Sequence, residues 1–308
     1  MSPLWPSRAS TKQHLEAALR KLATRRPMPG IADPKALETL TLQLVASIRR
    51  EDYTDRLIAR KVSTDRTNPH KKSFDADRAV AFHLQQRDID EASWLIFLMT
   101  HFGKPAEFGW RRLADVYGQL GQGRWSWNAI TADTDGFDSW LAANWKSIGG
   151  KFGNHRKYET LNPASANSTG NVIRSYVSWV GPSKSHSRLF AQTIRATGND
   201  PHKIFDELYQ GMNVRRFGRL AKFDYLALVG RYKIAPIVPG SAYLEEATGP
   251  AAGARLLFDG QVNGTSKSAT LQAGFDELSA ALGVGMQVLE DAICNWQKSP
   301  KKFVHFKG

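Results

Sequence analysis

An all-α fold is predicted, on three observations. Apolar residues recur at three- and four-residue spacing along most of the chain. No segment alternates apolar and polar residues convincingly over five positions, as a half-buried strand would. Pro, Gly, Asp and Ser fall where the periodic segments begin and end. The chain has 308 residues, 42% hydrophobic and 23% charged, an ordinary globular composition with material for one large core or two modest ones.

Taken in order, Ser10 or Thr11 caps a helix through Leu15, Leu19 and Leu22 to Arg25, ended by Pro27 and Pro29-Gly30. Asp33-Pro34 reads as N-cap and first-turn proline. The helix that follows carries Leu37, Leu40, Leu44, Val45 and Ile48 on one stripe. Arg49 to Lys72 is polar, with a short helix expected only around Leu57-Ile58. Ala79, Phe82 and His83 share the next helical face. Asp90 is expected to cap a helix through Trp94, Leu95, Phe97 and Leu98, with Gly103 just past its end. Pro105 is read as the start of a helix carrying Trp110, Leu113, Val116, Tyr117 and Leu120. Another runs from Asp133 or Thr134 to Trp145.

An irregular polar stretch, 149–170, follows; it is either a boundary between helical lobes or a functional loop. Helices are then expected at 171–180, 183–196, 201–212, 218–231, 241–247, 251–258, 268–282 and 285–297. The proposed division is 1–74, an N-terminal arm and helical lobe; 75–260, the core; and 261–308, C-terminal helices.

Several function classes are excluded. The longest apolar run, Trp94-Leu-Ile-Phe-Leu-Met99, is far short of the roughly 20 residues of a membrane span. No secretion signal is expected at Met1-Ser-Pro-Leu-Trp-Pro6, and the cytoplasm is the expected location. The single cysteine, Cys294, rules out an internal disulfide and a multi-thiolate zinc site; on a helical segment it reads as a small buried hydrophobe. Phosphate-cradling glycine loops, H-E-x-x-H, the zinc-deaminase pattern and G-x-S-x-G are all missing. No metal and no cofactor are expected. The surplus of 13 positive charges points instead to a polyanion, chiefly nucleic acid.

Three constellations could carry chemistry. In Thr100-His-Phe-Gly-Lys104, His101 ends a helix, where its protonated ring would suit the helix dipole; a site role is the alternative. Lys151-Phe-Gly-Asn-His-Arg-Lys-Tyr-Glu159 combines cations for phosphate, rings for stacking, and Asn154, His155 and Glu159 for base edges or proton transfer. The bland alternative is a solvated loop. In the third, Arg215, Arg216 and Arg219 surround Gly218 at a helix start, an arrangement suited to a phosphate. Asp224 follows among apolar residues, either as a reacting carboxylate or as a partner for Lys222 or Arg219.

With further strings, these residues resemble clade 3 of the α-glutamyl/putrescinyl thymine pyrophosphorylase family. The strings are Glu91-Ala-Ser-Trp-Leu95, Thr100–Lys104, Phe152–Glu159, Ser175-Tyr-Val-Ser-Trp-Val-Gly-Pro182, Arg216-Phe-Gly-Arg219, Phe223-Asp-Tyr-Leu226, Pro239-Gly-Ser-Ala-Tyr-Leu244, Thr248-Gly-Pro250 and Gly253-Ala-Arg-Leu-Leu-Phe258. They keep their order across about 75–258. The resemblance implies a two-lobed, all-α relative of helix-hairpin-helix DNA glycosylases, acting on hypermodified pyrimidines of phage DNA flipped from the duplex. Some members are thought to join an amine to an activated 5-hydroxymethylpyrimidine with loss of pyrophosphate; others look like glycosylases, which would suit antiphage defence.

On that resemblance Phe217-Gly218-Arg219 would be the hairpin turn and 220–231 its second helix. The superfamily's catalytic aspartate would fall at Pro239-Gly240-Ser241, where this chain has none, and the doubled hairpin glycine is also absent. The carboxylate must then come from elsewhere, or the chemistry is not excision. The expected enzyme is a DNA N-glycosylase (a hydrolase), with Asp224, Glu159 and His155 as catalytic groups. Asn154, Tyr158, His101 and Ser241 would meet the base, and Arg156, Lys157, Arg215, Arg216, Gly218, Arg219 and Lys222 the phosphates. An amine transferase on 5-pyrophosphomethyl-deoxyuridine and an inactive module binding modified DNA are the alternatives. Double-stranded DNA carrying modified pyrimidines is the expected partner, with no membrane and no obligate protein partner.

Overall fold

Several helices start where a side chain caps free backbone N–H groups. In the computed structural model, which describes residues 4–305, Asp75 Oδ1 accepts from Arg78 N, Ser126 Oγ from Ala129 N, Asp133 Oδ1 from Gly136 N and Ser168 Oγ from Asn171 N. The described residues form fourteen α-helices and no strand. In order these are α1 (Ala9–Ala23), α2 (Pro34–Ala59), α3 (Ala76–Gln85), α4 (Ile89–Phe102), α5 (Arg111–Tyr117), α6 (Trp127–Ala132) and α7 (Thr134–Asn144). Then come α8 (Thr169–Val180), α9 (His186–Thr197), α10 (Pro201–Gly211), α11 (Arg219–Arg231), α12 (Gly249–Asp259), α13 (Ser268–Leu282) and α14 (Met286–Trp296). None is long and apolar enough to cross a membrane.

The chain divides into two compact units. One joins the segment up to Tyr53 to the segment from Pro239 on. Its core gathers Leu15, Leu19 and Leu22 of α1, Leu37, Leu40 and Leu44 of α2, Leu271 and Phe275 of α13, and Leu289, Ile293 and Trp296 of α14. The Trp296 indole N–H donates to Ala36 O at 3.1 Å, satisfying the one polar atom of a fully buried ring. Cys294 is half-buried on α14.

The other unit spans Thr54–Val238. Every residue of α4 from Glu91 to Phe102 is buried, so this helix is wrapped on all sides. Helices α3, α5, α6, α9 and α11 pack on it. Phe97 of α4 stacks on Tyr176 of α8 at 3.8 Å between centroids and on Phe217 at 5.1 Å.

Several expectations are corrected. Helix α2 does not stop near Ile48 but runs on to Ala59. Its charged residues are paired: Arg50 Nε donates to Asp291 at 3.1 Å, and Asp52 bonds Arg8. Asp88, not Asp90, caps α4, accepting from Glu91 N. Pro105 starts no helix; the chain turns until Arg111. Helix α6 was not foreseen. Only a 3-10 turn, Leu244–Glu246, forms within 241–247.

Candidate active site

The three constellations singled out in the sequence converge in the second unit, at the C-terminal end of α4. Gly103 leaves that helix with φ 68°, a backbone that favours glycine. A Cβ there would stand 2.9 Å from the Cα of Gly153. Two glycines therefore let two backbones touch, and Gly153 N donates to Phe102 O at 2.8 Å. Phe152 adds a stack on Phe102 at 5.7 Å, with the Arg112 guanidinium 4.7 Å from its ring. The irregular loop is thereby pinned to the core.

From this anchor a 3-10 turn, Asn154–Arg156, sends Arg156 inward. Its Nε donates to Thr100 O at 2.8 Å and its Nη2 lies 3.6 Å from Asp224 Oδ2 on α11. Phe217 lies 5.8 Å from the guanidinium. Burial pushes the Arg156 pKa down, while Asp224 and Glu159 pull it back up. A guanidinium stays charged in proteins, so the two carboxylates are what make its burial tolerable.

Glu159 is the deepest acid of the cluster, with 6% of its side chain exposed. Its Oε1 lies 3.4 Å from Arg216 Nε. Its Oε2 is buried and makes no hydrogen bond among the described residues. Burial raises its pKa, and Arg216 and then Arg156 offset this only in part. A desolvated, more basic carboxylate with an uncommitted oxygen can accept a proton or orient a water. Asp224, the first catalytic candidate from the sequence, is 42% exposed at its side chain and shares Arg156 with Glu159.

The remaining candidates separate by exposure. Asn154, His155, Lys157, Arg215, Arg216 and Gly218 are exposed. Tyr158 is 74% exposed, and Lys157 Nζ lies 5.0 Å from its ring. Lys222 is half-buried, 5.5 Å from the Tyr209 ring. Arg219 is buried, its guanidinium 5.0 Å from the Phe223 ring. Ser241 belongs to the first unit, where its hydroxyl donates to Gln272 Oε1 at 3.0 Å.

His101 is buried in the wall of the cluster. Thr169 Oγ1 donates to Thr160 O at 3.1 Å, which leaves it to accept from His101 Nε2 at 3.0 Å. Burial, with Arg156 adding to it, pushes the imidazole pKa down to about 3. The protonated helix-end role expected of His101 is therefore corrected: the ring is neutral at pH 7.

The sequence reading missed a buried polar chain. Asp90 Oδ1 accepts from His186 N at 2.6 Å and lies 2.9 Å from His186 Nδ1. His186 Nε2 lies 2.7 Å from Tyr176 Oη, which is 2.9 Å from Tyr225 Oη. The three rings are fully buried. The chain ties α4, α9, α8 and α11 together beneath the cluster, and α11 carries Asp224 beside Tyr225. Its members lie far apart in sequence, and Asp90 beside a helix start mimicked a cap.

The fold and the cluster define an all-α protein with a buried carboxylate set among arginines. The chain belongs to the alpha-glutamyl/putrescinyl thymine pyrophosphorylase clade 3 family, which matches residues 35–308. The match bears out the resemblance read from the strings between 75 and 258 and extends it toward both ends. Neither a curated protein nor a solved structure matches the chain.

Proposed function

We propose that the protein is an enzyme acting on a hypermodified pyrimidine in double-stranded DNA, excising the flipped base with Glu159 as its acid–base group. The observation that carries this reading is the buried Glu159 Oε2, which has no hydrogen-bond partner among the described residues. The family name, built on modified thymine, supplies the substrate class. Exposed Lys157, Arg215 and Arg216 offer cations for phosphates on the surface around that carboxylate. Exposed Tyr158 offers a ring for a base, with Asn154 and His155 beside it for base edges.

In this reading the C1′–N1 bond breaks first, the base leaving with the bonding electron pair and taking a proton from solvent. Glu159 Oε2 then takes a proton from the water that adds to the cationic C1′. Its charge, with that of Asp224, stabilises the cationic sugar. All these residues lie within 75–260, kept as the proposed catalytic segment. Removing a phage-specific base would suit antiphage defence.

A second reading draws on Arg216 standing beside Glu159. There Glu159 would take the proton of an attacking amine, and Lys157, Arg215 and Arg216 would neutralise a departing pyrophosphate. The deciding experiment incubates the protein with DNA from phages carrying different modified pyrimidines. Mass spectrometry then follows released bases and digested nucleosides. Free base with abasic DNA supports excision, and amine-bearing nucleosides support transfer. Neither product, with binding intact, leaves a module that only recognises modified DNA.

A further inference from the structure

A groove of about 560 Å³ lies on the second unit between α8 and the loop that follows α10. Its volume falls within the roughly 300–1,000 Å³ of small-ligand sites. The half-buried indole of Trp179 forms part of its wall and is backed by two rings, Tyr176 at 5.8 Å and Tyr225 at 5.9 Å. Asn171 and Asn213 add amides, and two arginines, Arg174 and Arg215, also line it. The two arginines are not equivalent. Arg174 is already paired with Asp135 at 2.7 Å and with Asp138. Among the described residues Arg215 makes no ion pair with a carboxylate; its backbone N–H donates to Ser175 Oγ at 2.9 Å and its guanidinium to Ala166 O at 3.2 Å. The site therefore offers one planar ring, amides and one unneutralised guanidinium. That set suits a nucleobase with its phosphate.

The groove shares its supports with the Glu159 cluster. Arg215 lines the groove, while the next residue, Arg216, turns with φ 66° onto Glu159. On α11, Asp224 faces Arg156 while Tyr225 backs Trp179. Consecutive residues of one loop thus reach the groove and the Glu159 cluster. We infer that the groove seats the nucleotide adjoining the target in the same DNA strand, its base on Trp179 and its phosphate on Arg215. This rests on the proposed action on DNA.

The test uses a short fluorescent duplex with a central 5-hydroxymethyl-2′-deoxyuridine and measures its affinity by anisotropy. An abasic nucleotide on one side of the target, and on one side only, weakens wild-type binding about tenfold. Trp179→Ala carries that loss on the intact duplex and shows no further loss on the abasic one, and Trp179→Phe restores most of it. Because Trp179 packs on core rings, Arg215→Ala, at an exposed side chain whose one hydrogen bond among the described residues is to Ala166 O, serves as the second variant, with its Tm measured alongside; it weakens all duplexes alike and lowers the salt slope by about one. Equal wild-type affinity for intact and abasic-flanked duplexes, or an undiminished abasic penalty in Trp179→Ala, overturns the inference alone. If the wild type binds no such duplex at low salt, the proposed action on DNA fails and the inference falls with it.

Discussion

Glu159 Oε1 lies 3.4 Å from Arg216 Nε, and Arg216 holds that position with a left-handed backbone, φ 66°. A non-glycine residue there costs about 1–2 kcal/mol. That backbone stands beside Glu159, the one acid among the described residues with a buried carboxylate oxygen that has no hydrogen-bond partner. Six other described non-glycine residues, Arg87, Gln119, Leu120, Lys184, Lys233 and Tyr243, also have positive φ, so it is the pairing with Glu159, not the backbone alone, that singles Arg216 out.

Glu159→Gln should abolish turnover while Tm stays level or rises. Burial raises the Glu159 pKa in the fold, so the ionised form is less comfortable there than in the unfolded chain. The stability it supplies is present below the unfolded value and is lost as pH rises through the folded one. At pH 7 the amide relieves that cost. A product assay and a melting curve on the same preparation check it; retained activity removes Glu159 from the mechanism.

Asp224→Asn should lower turnover about tenfold rather than abolish it. Its side chain is 42% exposed, and its carboxylate shares Arg156 with Glu159. With Asp224 neutral, Arg156 acts on Glu159 alone and makes it a weaker base. The pH–rate profile should shift toward acid. An unshifted profile with lost activity would return the leading role to Asp224.

Gly103→Ala should cost more than Gly109→Ala. Both glycines have positive φ, 68° and 53°. Only at Gly103 would the new Cβ also meet backbone, 2.9 Å away at Gly153; at Gly109 nothing lies within 4 Å. The backbone penalty of about 1–2 kcal/mol is common to both. The excess at Gly103 reports the contact that pins the loop carrying Arg156 and Glu159, and on the proposed function activity should fall with it. Equal Tm losses would deny that contact its role.

Much of the helical layout was legible because it is local. Leu15, Leu19 and Leu22 share a face by spacing alone, whereas the cap expected at Ser10 or Thr11 is absent: α1 starts at Ala9 with no side-chain cap. The run Arg49-Arg50-Glu51-Asp52 misled because charge in sequence reads as a break. In the fold, Asp52 finds Arg8 and Arg50 finds Asp291, so the helix continues. The residue types of the site were legible too, and all three constellations meet. Their partners were not: which acid neutralises Arg156, and that Asp90 serves His186, are set by helices brought together only in tertiary structure.

Binding to duplex DNA should be steeply salt-dependent. The chain carries 13 surplus positive charges, and Lys157, Arg215 and Arg216 are exposed near Glu159. If about six phosphates are neutralised, the log–log slope is about −5. Anisotropy between about 50 and 200 mM salt measures it, and a flat response would retire nucleic acid as the partner.

Acid should unfold this protein through its buried histidines. Burial, chiefly, takes the His101 pKa down to about 3 and lowers that of His186, which Asp90 only partly offsets. The unfolded chain takes up these protons near pH 6.5. Below that, the unfolded state binds more protons than the fold, so stability falls as pH falls, by up to about 1.4 kcal/mol per pH unit for each ring. For His101 the loss continues down to about pH 3. Glu91 and Glu159, whose values burial raises, work the other way in mildly acid solution, so the net wild-type slope is a difference. His101→Gln isolates one term, since an amide can still bond Thr169 but does not titrate. Urea midpoints for both proteins between pH 7 and pH 5 should show the variant with the shallower slope. Parallel slopes would mean that His101 is not the buried neutral ring that its place against Phe97 and Phe102 requires.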